Sequence, residues 1–152
     1  MSSRIDRLLA DARARLQRLP PGDLPAALGR GVVLVDIRPA AQRAVEGEAP
    51  GALVIERNVL EWRCDPTSDA RIPQAVDDDV EWVVVCSQGY TLSLAAAALQ
   101  NLGLRRATDV VGGHQALALA GVLPLLATAR SPVSPGRADV RFFPESNLAA
   151  AV

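Results

Sequence analysis

The chain has 152 residues, with 49% apolar and only 3% aromatic side chains, so it holds one compact domain plus an extra segment, built on an aliphatic core. A formal net charge of -1 removes any general electrostatic drive toward nucleic acid or anionic lipid. All 16 basic residues are arginine, which excludes a lysine Schiff base and a P-loop lysine.

Residues 4 to 19 place Ile5, Leu8, Leu9, Ala12, Leu16 and Leu19 at helical spacing, with charges between them and Pro20-Pro21-Gly22 as the stop. This predicts an N-terminal amphipathic helix within residues 1–22. Its stripe suits packing on the main body or a partner helix equally well, so the oligomeric state stays open. From Leu24 the pattern changes to short aliphatic runs at Val32–Val35, Ala52–Ile55, Val83–Val85 and, more weakly, Thr108–Val111. They are apolar on both faces, as strands buried in a parallel sheet require. Helical stretches fall between and after them at Pro39–Val45, Tyr90–Leu102 and His114–Ala120. The alternation predicts an α/β fold, a parallel sheet of about five strands flanked by helices, over residues 23–126. Ser68–Asp79, with its run Asp77-Asp78-Asp79, reads as a solvated loop. Residues 127–152 carry prolines without apolar periodicity and are expected to form an irregular tail.

Arginines and aspartates interrupt the first twenty residues, so no secretory h-region is present there. The most apolar run, Ala116–Ala129, is cut by Gly121 and Pro124 and is too short to span a bilayer. The expectation is a cytoplasmic protein without membrane or nucleic-acid partners. Two cysteines and one histidine lack ligand-type spacing, so neither a metal nor another cofactor is expected.

The chemistry concentrates at Val83-Val84-Val85-Cys86-Ser87-Gln88-Gly89-Tyr90-Thr91. A buried strand ends at a cysteine, a short glycine-containing loop follows, and a helix begins at once. That places Cys86 outside the carboxyl end of a strand and beside a helix N-terminus, where unpaired N–H groups favour an anion. The amides of Ser87 to Thr91 can curl around one point if Gly89 supplies positive φ. Such surroundings activate a thiol without a histidine base. The competing reading is a small buried residue at the end of a core strand.

Several segments in order resemble the rhodanese-like (sulfurtransferase) domain family. They are Val33-Leu34-Val35-Asp36-Ile37-Arg38, Gly47-Glu48-Ala49-Pro50-Gly51-Ala52, the loop Cys86–Thr91, Val110-Val111-Gly112-Gly113, and Ala120-Gly121-Val122-Leu123-Pro124. The resemblance implies sulfane-sulfur transfer through a Cys86 persulfide held by the loop amides. The donor would be thiosulfate or another persulfide, and the acceptor cyanide, a thiol or a protein. Related cysteine phosphatases use a longer loop ending in Arg; here Leu92 and Ser93 stand in that place, and no Arg occurs between Arg71 and Arg105. The chain departs from the family pattern in its uncharged Ser87 and Gln88, in Glu48 where the family usually has His, and in Ala116 and Leu117 where an aromatic is usual. The rival expectation is therefore a catalytically weak rhodanese-fold module for protein binding or redox sensing.

Arg57 and Arg63 follow the second strand and are candidates for binding an anionic substrate; ordinary ion pairing is the alternative. Asp36 and Arg38 read as a structural pair near the site. Cys64, placed in a polar loop, is either a resolving thiol or a bystander. His114 is expected to open a helix, and Trp62 and Trp82 to pack in the core or at its rim.

Overall fold

The computed structural model describes residues 2–129. Strands β1 (Val33–Asp36), β2 (Leu53–Val54), β3 (Trp82–Val85) and β4 (Thr108–Asp109) form one sheet in the order β2-β1-β3-β4, every pairing parallel. Helices α1 (Arg4–Ala14), α2 (Leu24–Gly29), α3 (Ala40–Glu46), α4 (Leu60–Cys64), α5 (Thr91–Asn101), α6 (Gly113–Leu119) and α7 (Leu123–Leu126) surround it. The expected α/β architecture with an extra N-terminal helix is present, with four strands among the described residues instead of about five. Where a fifth strand would lie, a single parallel bridge joins Leu19 to Val110.

Because successive strand residues face opposite sides, the aliphatic runs feed two cores. Val35, Ile55, Trp82, Val84 and Cys86 pack with Leu92, Ala95, Ala96 and Leu99 of α5. Leu34, Val83, Val85 and Val110 pack on the other face with Leu24 and Leu28 of α2, Leu117 of α6 and Leu126 of α7. The chain leaves β1 toward β2 on one side and leaves β3 toward β4 on the other. The carboxyl ends of β1 and β3 therefore form the crevice where ligands of open parallel sheets bind.

The N-terminal helix ends at Ala14, earlier than its apolar spacing suggests. Leu16 leaves the helical stripe for the core, and Leu19 becomes extended, as the residue before Pro20 prefers. The Leu19 N–H donates to the Asp109 carbonyl and the Leu19 carbonyl accepts from Val111 N–H, both at 2.9 Å. Residues 68–79 contain no helix or strand, yet Ala70, Ile72 and Ala75 are buried, so this loop is an inward-facing cover and not simply solvated. The tail expectation concerns mainly residues 130–152, outside the described residues. No described helix is long and apolar enough to cross a membrane.

Candidate active site

Cys86 directly follows β3, is 6% exposed and carries a free thiol. Its surroundings are set by where the loop's backbone groups find partners. The Cys86 carbonyl accepts from His114 N–H at 2.7 Å and the Ser87 carbonyl from Gln115 N–H at 3.0 Å, both at the start of α6. The Gly89 carbonyl accepts from Arg13 Nη2 at 2.6 Å, and the Tyr90 carbonyl from Ser93 N–H at 3.2 Å. The carbonyls are thus drawn outward. The N–H groups of Ser87, Gln88, Gly89 and Tyr90 have no acceptor among the described residues. Helix α5 also begins without a side-chain cap, so its first amides add to the same unsatisfied set.

Two glycines make this packing possible. Gly89 adopts φ +93°, and a Cβ there would lie 2.8 Å from Gly112 Cα. Gly113 adopts φ +65°, and a Cβ there would lie 2.5 Å from the Cys86 carbonyl oxygen. The Gly-Gly pair that opens α6 is therefore the floor against which the cysteine loop lies, and any side chain would lift the loop away.

A charged network holds the other lip of the crevice. Arg38, fully buried, donates from Nη2 to Asp36 Oδ2 at 2.7 Å and to the Gly47 carbonyl at 2.8 Å. Its Nη1 reaches Glu46 Oε1 at 3.3 Å. Glu46 Oε2 in turn accepts from Ser87 Oγ at 2.6 Å and from Gln115 Nε2 at 3.2 Å. The Ser87 hydroxyl, ahead of Gln115 and Arg38, holds the Glu46 carboxyl below its ordinary range, outweighing the opposing effect of burial. A carboxylate thus sits one residue from the cysteine. Its role escapes a sequence reading, because Glu46 and Ser87 meet only through folding. His114 is buried, its Nε2 unpartnered among the described residues. Burial first and Arg38 second push its pKa down, so it stands as neutral imidazole near pH 7.

The remaining candidates sit as follows. Asp36 and Arg38 form the buried pair just described. Arg57 lies in a short 3-10 turn and donates to Glu61 at 2.6 Å across one helical turn. Arg63 is buried, with Nη1 donating to the Ala70 carbonyl at 2.5 Å. Cys64 lies not in a polar loop but at the end of α4, fully buried, and burial drives its thiol pKa far up. The physical reason is that Leu60 and Cys64 share the inward face of a turn too short to show periodicity. Gln88 and Tyr90 are exposed at the loop's outer side. Among the described residues no group of three His, Cys, Asp or Glu could hold a metal.

The fold has close counterparts among solved structures. One, from Rhodopseudomonas palustris, is a protein of unknown function described as a possible tyrosine phosphatase. It is 31% identical, with 80% of this chain and 93% of that one covered and a TM-score of 0.70. A rhodanese-related protein from Thermoplasma volcanium matches at 20% identity over 68% of this chain and 92% of its own, with a TM-score of 0.51. The Bacillus anthracis protein CoADR-RHD matches at 21% identity over 73% of this chain but only 18% of its own length, with a TM-score of 0.57. A search of curated proteins finds no match. The family model described as Rhodanese-like domain matches residues 20–120, spanning the sheet, the cysteine loop and the glycine floor beneath it; the chain belongs to the rhodanese-like domain family.

Proposed function

We propose that the protein is a sulfurtransferase that carries sulfane sulfur on Cys86. The observation that supports this most directly is the set of amides from Ser87 to Tyr90 that are unpartnered among the described residues, around a cysteine whose own carbonyl and those of Ser87, Gly89 and Tyr90 are bonded elsewhere. Donors preorganised around one sulfur stabilise an anion there without any proton-transfer group. In the first half-reaction the Cys86 thiolate attacks the outer sulfur of the donor. The sulfur–sulfur bond of the donor breaks, and sulfite leaves from thiosulfate or a thiolate from a persulfide. The terminal sulfur of the Cys86 persulfide takes the negative charge into the amide cradle. In the second half-reaction a nucleophile, cyanide or a thiolate, takes that sulfur and returns Cys86 as thiolate. A protein thiolate is an acceptor of the same chemistry.

Among donors the site favours persulfides over thiosulfate. The loop brings no cation of its own sequence, and Glu46 places negative charge beside Ser87. Arg57 is paired with Glu61, and Arg63 is engaged with Ala70, which leaves a substrate-binding role for either without geometric support. A phosphatase reading fits less well. The position where a phosphate-clamping arginine would follow the loop is Leu92, fully buried in the core, and Ser93 after it is buried as well.

Intact-protein mass spectrometry tests the proposal after incubation with thiosulfate and, separately, with a low-molecular-weight persulfide. The expected result is a gain of one sulfur atom, removed by cyanide or thiol and absent in Cys86→Ser. If neither donor loads Cys86 in folded protein with a free thiol, the enzyme reading gives way to a binding or redox-sensing module.

A further inference from the structure

The last turn of α1 lies outside the matched residues 20–120, yet it reaches the cysteine loop. Arg13 donates from Nη2 to the Gly89 carbonyl at 2.6 Å and from Nε to Ser93 Oγ at 3.3 Å. Ser93 is fully buried, and its hydroxyl donates to Asp109 Oδ2 at 2.5 Å. The other carboxylate oxygen of Asp109 accepts from Arg18 Nε at 2.8 Å. Arg18 thus balances Asp109. Arg13 has no carboxylate partner among the described residues and spends its charge on a carbonyl and a hydroxyl.

The Gly89 carbonyl belongs to the same peptide unit as the Tyr90 N–H. A cation bound at one end of a peptide polarises it, so the N–H at the other end becomes a stronger donor. Tyr90 N–H is one of the amides without an acceptor among the described residues. The loop residues Ser87, Gln88, Gly89, Tyr90 and Thr91 carry no cation. The charged and titratable groups around the loop divide by side. Arg13, Arg18 and Asp109 are linked through Ser93 of α5; Asp36, Arg38, Glu46 and neutral His114 lie toward β1 and α6. The second group is net negative, so the positive charge at the loop comes from the N-terminal helix.

We propose that Arg13 is a positioning residue for Cys86: held on the Gly89 carbonyl, it supplies the charge that the loop lacks and strengthens the amide cradle toward a sulfur anion. The proposal rests on the sulfur-transfer reading above.

The test compares wild type, Arg13→Gln and Arg13→Lys by persulfide loading and by iodoacetamide alkylation, with thermal unfolding alongside. Arg13 is only half-buried, and Ala12 and Leu16 anchor the segment independently, so Arg13→Gln retains the fold. Arg13→Gln should slow both reactions roughly 3–10-fold near pH 7, because the amides around the sulfur become weaker donors. Arg13→Lys should recover most of the loss. Equal rates for wild type and Arg13→Gln would overturn the proposal while leaving the sulfur-transfer reading intact. So would a deficit that lysine does not rescue. If wild type itself loads no sulfur although its thiol alkylates, the sulfur-transfer reading fails and the Arg13 proposal falls with it.

Discussion

The cysteine loop is held on two sides by different physics. Toward α6 it lies on Gly112 and Gly113, and its first carbonyls accept from the amides of His114 and Gln115, so the contact is backbone against backbone with no room for a Cβ. Toward α1 it is held by one long side chain, Arg13, across 76 residues of sequence. The first side demands exact shape and tolerates no addition. The second demands charge and tolerates some freedom of position. Failure on the glycine side should therefore unseat the loop, whereas failure on the arginine side should leave it in place and weaken what it binds.

The sharpest way to break that contrast is Gly113→Ala. The new Cβ would lie 2.5 Å from the Cys86 carbonyl oxygen at φ +65°, so strain and collision combine. A loss of roughly 2–4 kcal/mol is expected in urea unfolding, together with loss of sulfur loading. Unchanged stability would show that the glycine floor yields.

Acid should expose the same side next. His114, held neutral by burial, binds its proton more weakly folded than unfolded. The stability it contributes is complete above its ordinary value of 6.5 and is lost as pH falls toward its lowered folded value. Thermal midpoints of wild type should fall below that pH, and the fall should be shallower in His114→Gln.

A smaller effect concerns choice of donor. Glu46→Gln removes the charge beside Ser87 while keeping an oxygen to accept its hydroxyl. Thiosulfate loading should rise about 2–5-fold relative to persulfide loading, less so in high salt. A ratio unmoved by the substitution would remove Glu46 from the account of selectivity. The smallest effect is expected away from both sides. Arg57→Ala breaks only a half-exposed pair with Glu61 and should change stability by about 0.5 kcal/mol or less, with loading rates unaltered. A marked loss with thiosulfate alone would restore Arg57 as a substrate contact.

The two sides also differ in how far they could be read from sequence. The aliphatic runs around Val33–Asp36 and Trp82–Val85 announce buried parallel strands, and a cysteine followed by glycine and a helical run announces the site. The glycine floor was legible as a Gly-Gly pair at the right place in chain order. Arg13 was not, because nothing local distinguishes it from Arg7 or Arg15 on the same helix; only the docking of α1 on α5 brings it to Gly89. Leu16 and Leu19 fit a helical stripe, and tertiary contacts with the core and with Val110 override that pattern. Cys64 and Ile72 misled for a related reason. Both stand among polar neighbours, and the segment is pulled inward by the Arg63–Ala70 contact and by Ile72 N–H on the Arg63 carbonyl at 2.9 Å.

The single bridge at Leu19 bears on how the molecule meets its neighbours. Sheets end in rows of open donors and acceptors that invite another chain to add a strand. Among the described residues the β4 margin is occupied by Leu19 alone, and the next two residues, Pro20 and Pro21, have no N–H to offer an incoming strand. The opposite margin is β2, two residues long. Among the described residues, then, both margins of this sheet offer an added strand few open groups, one because it is short and the other because it ends in prolines.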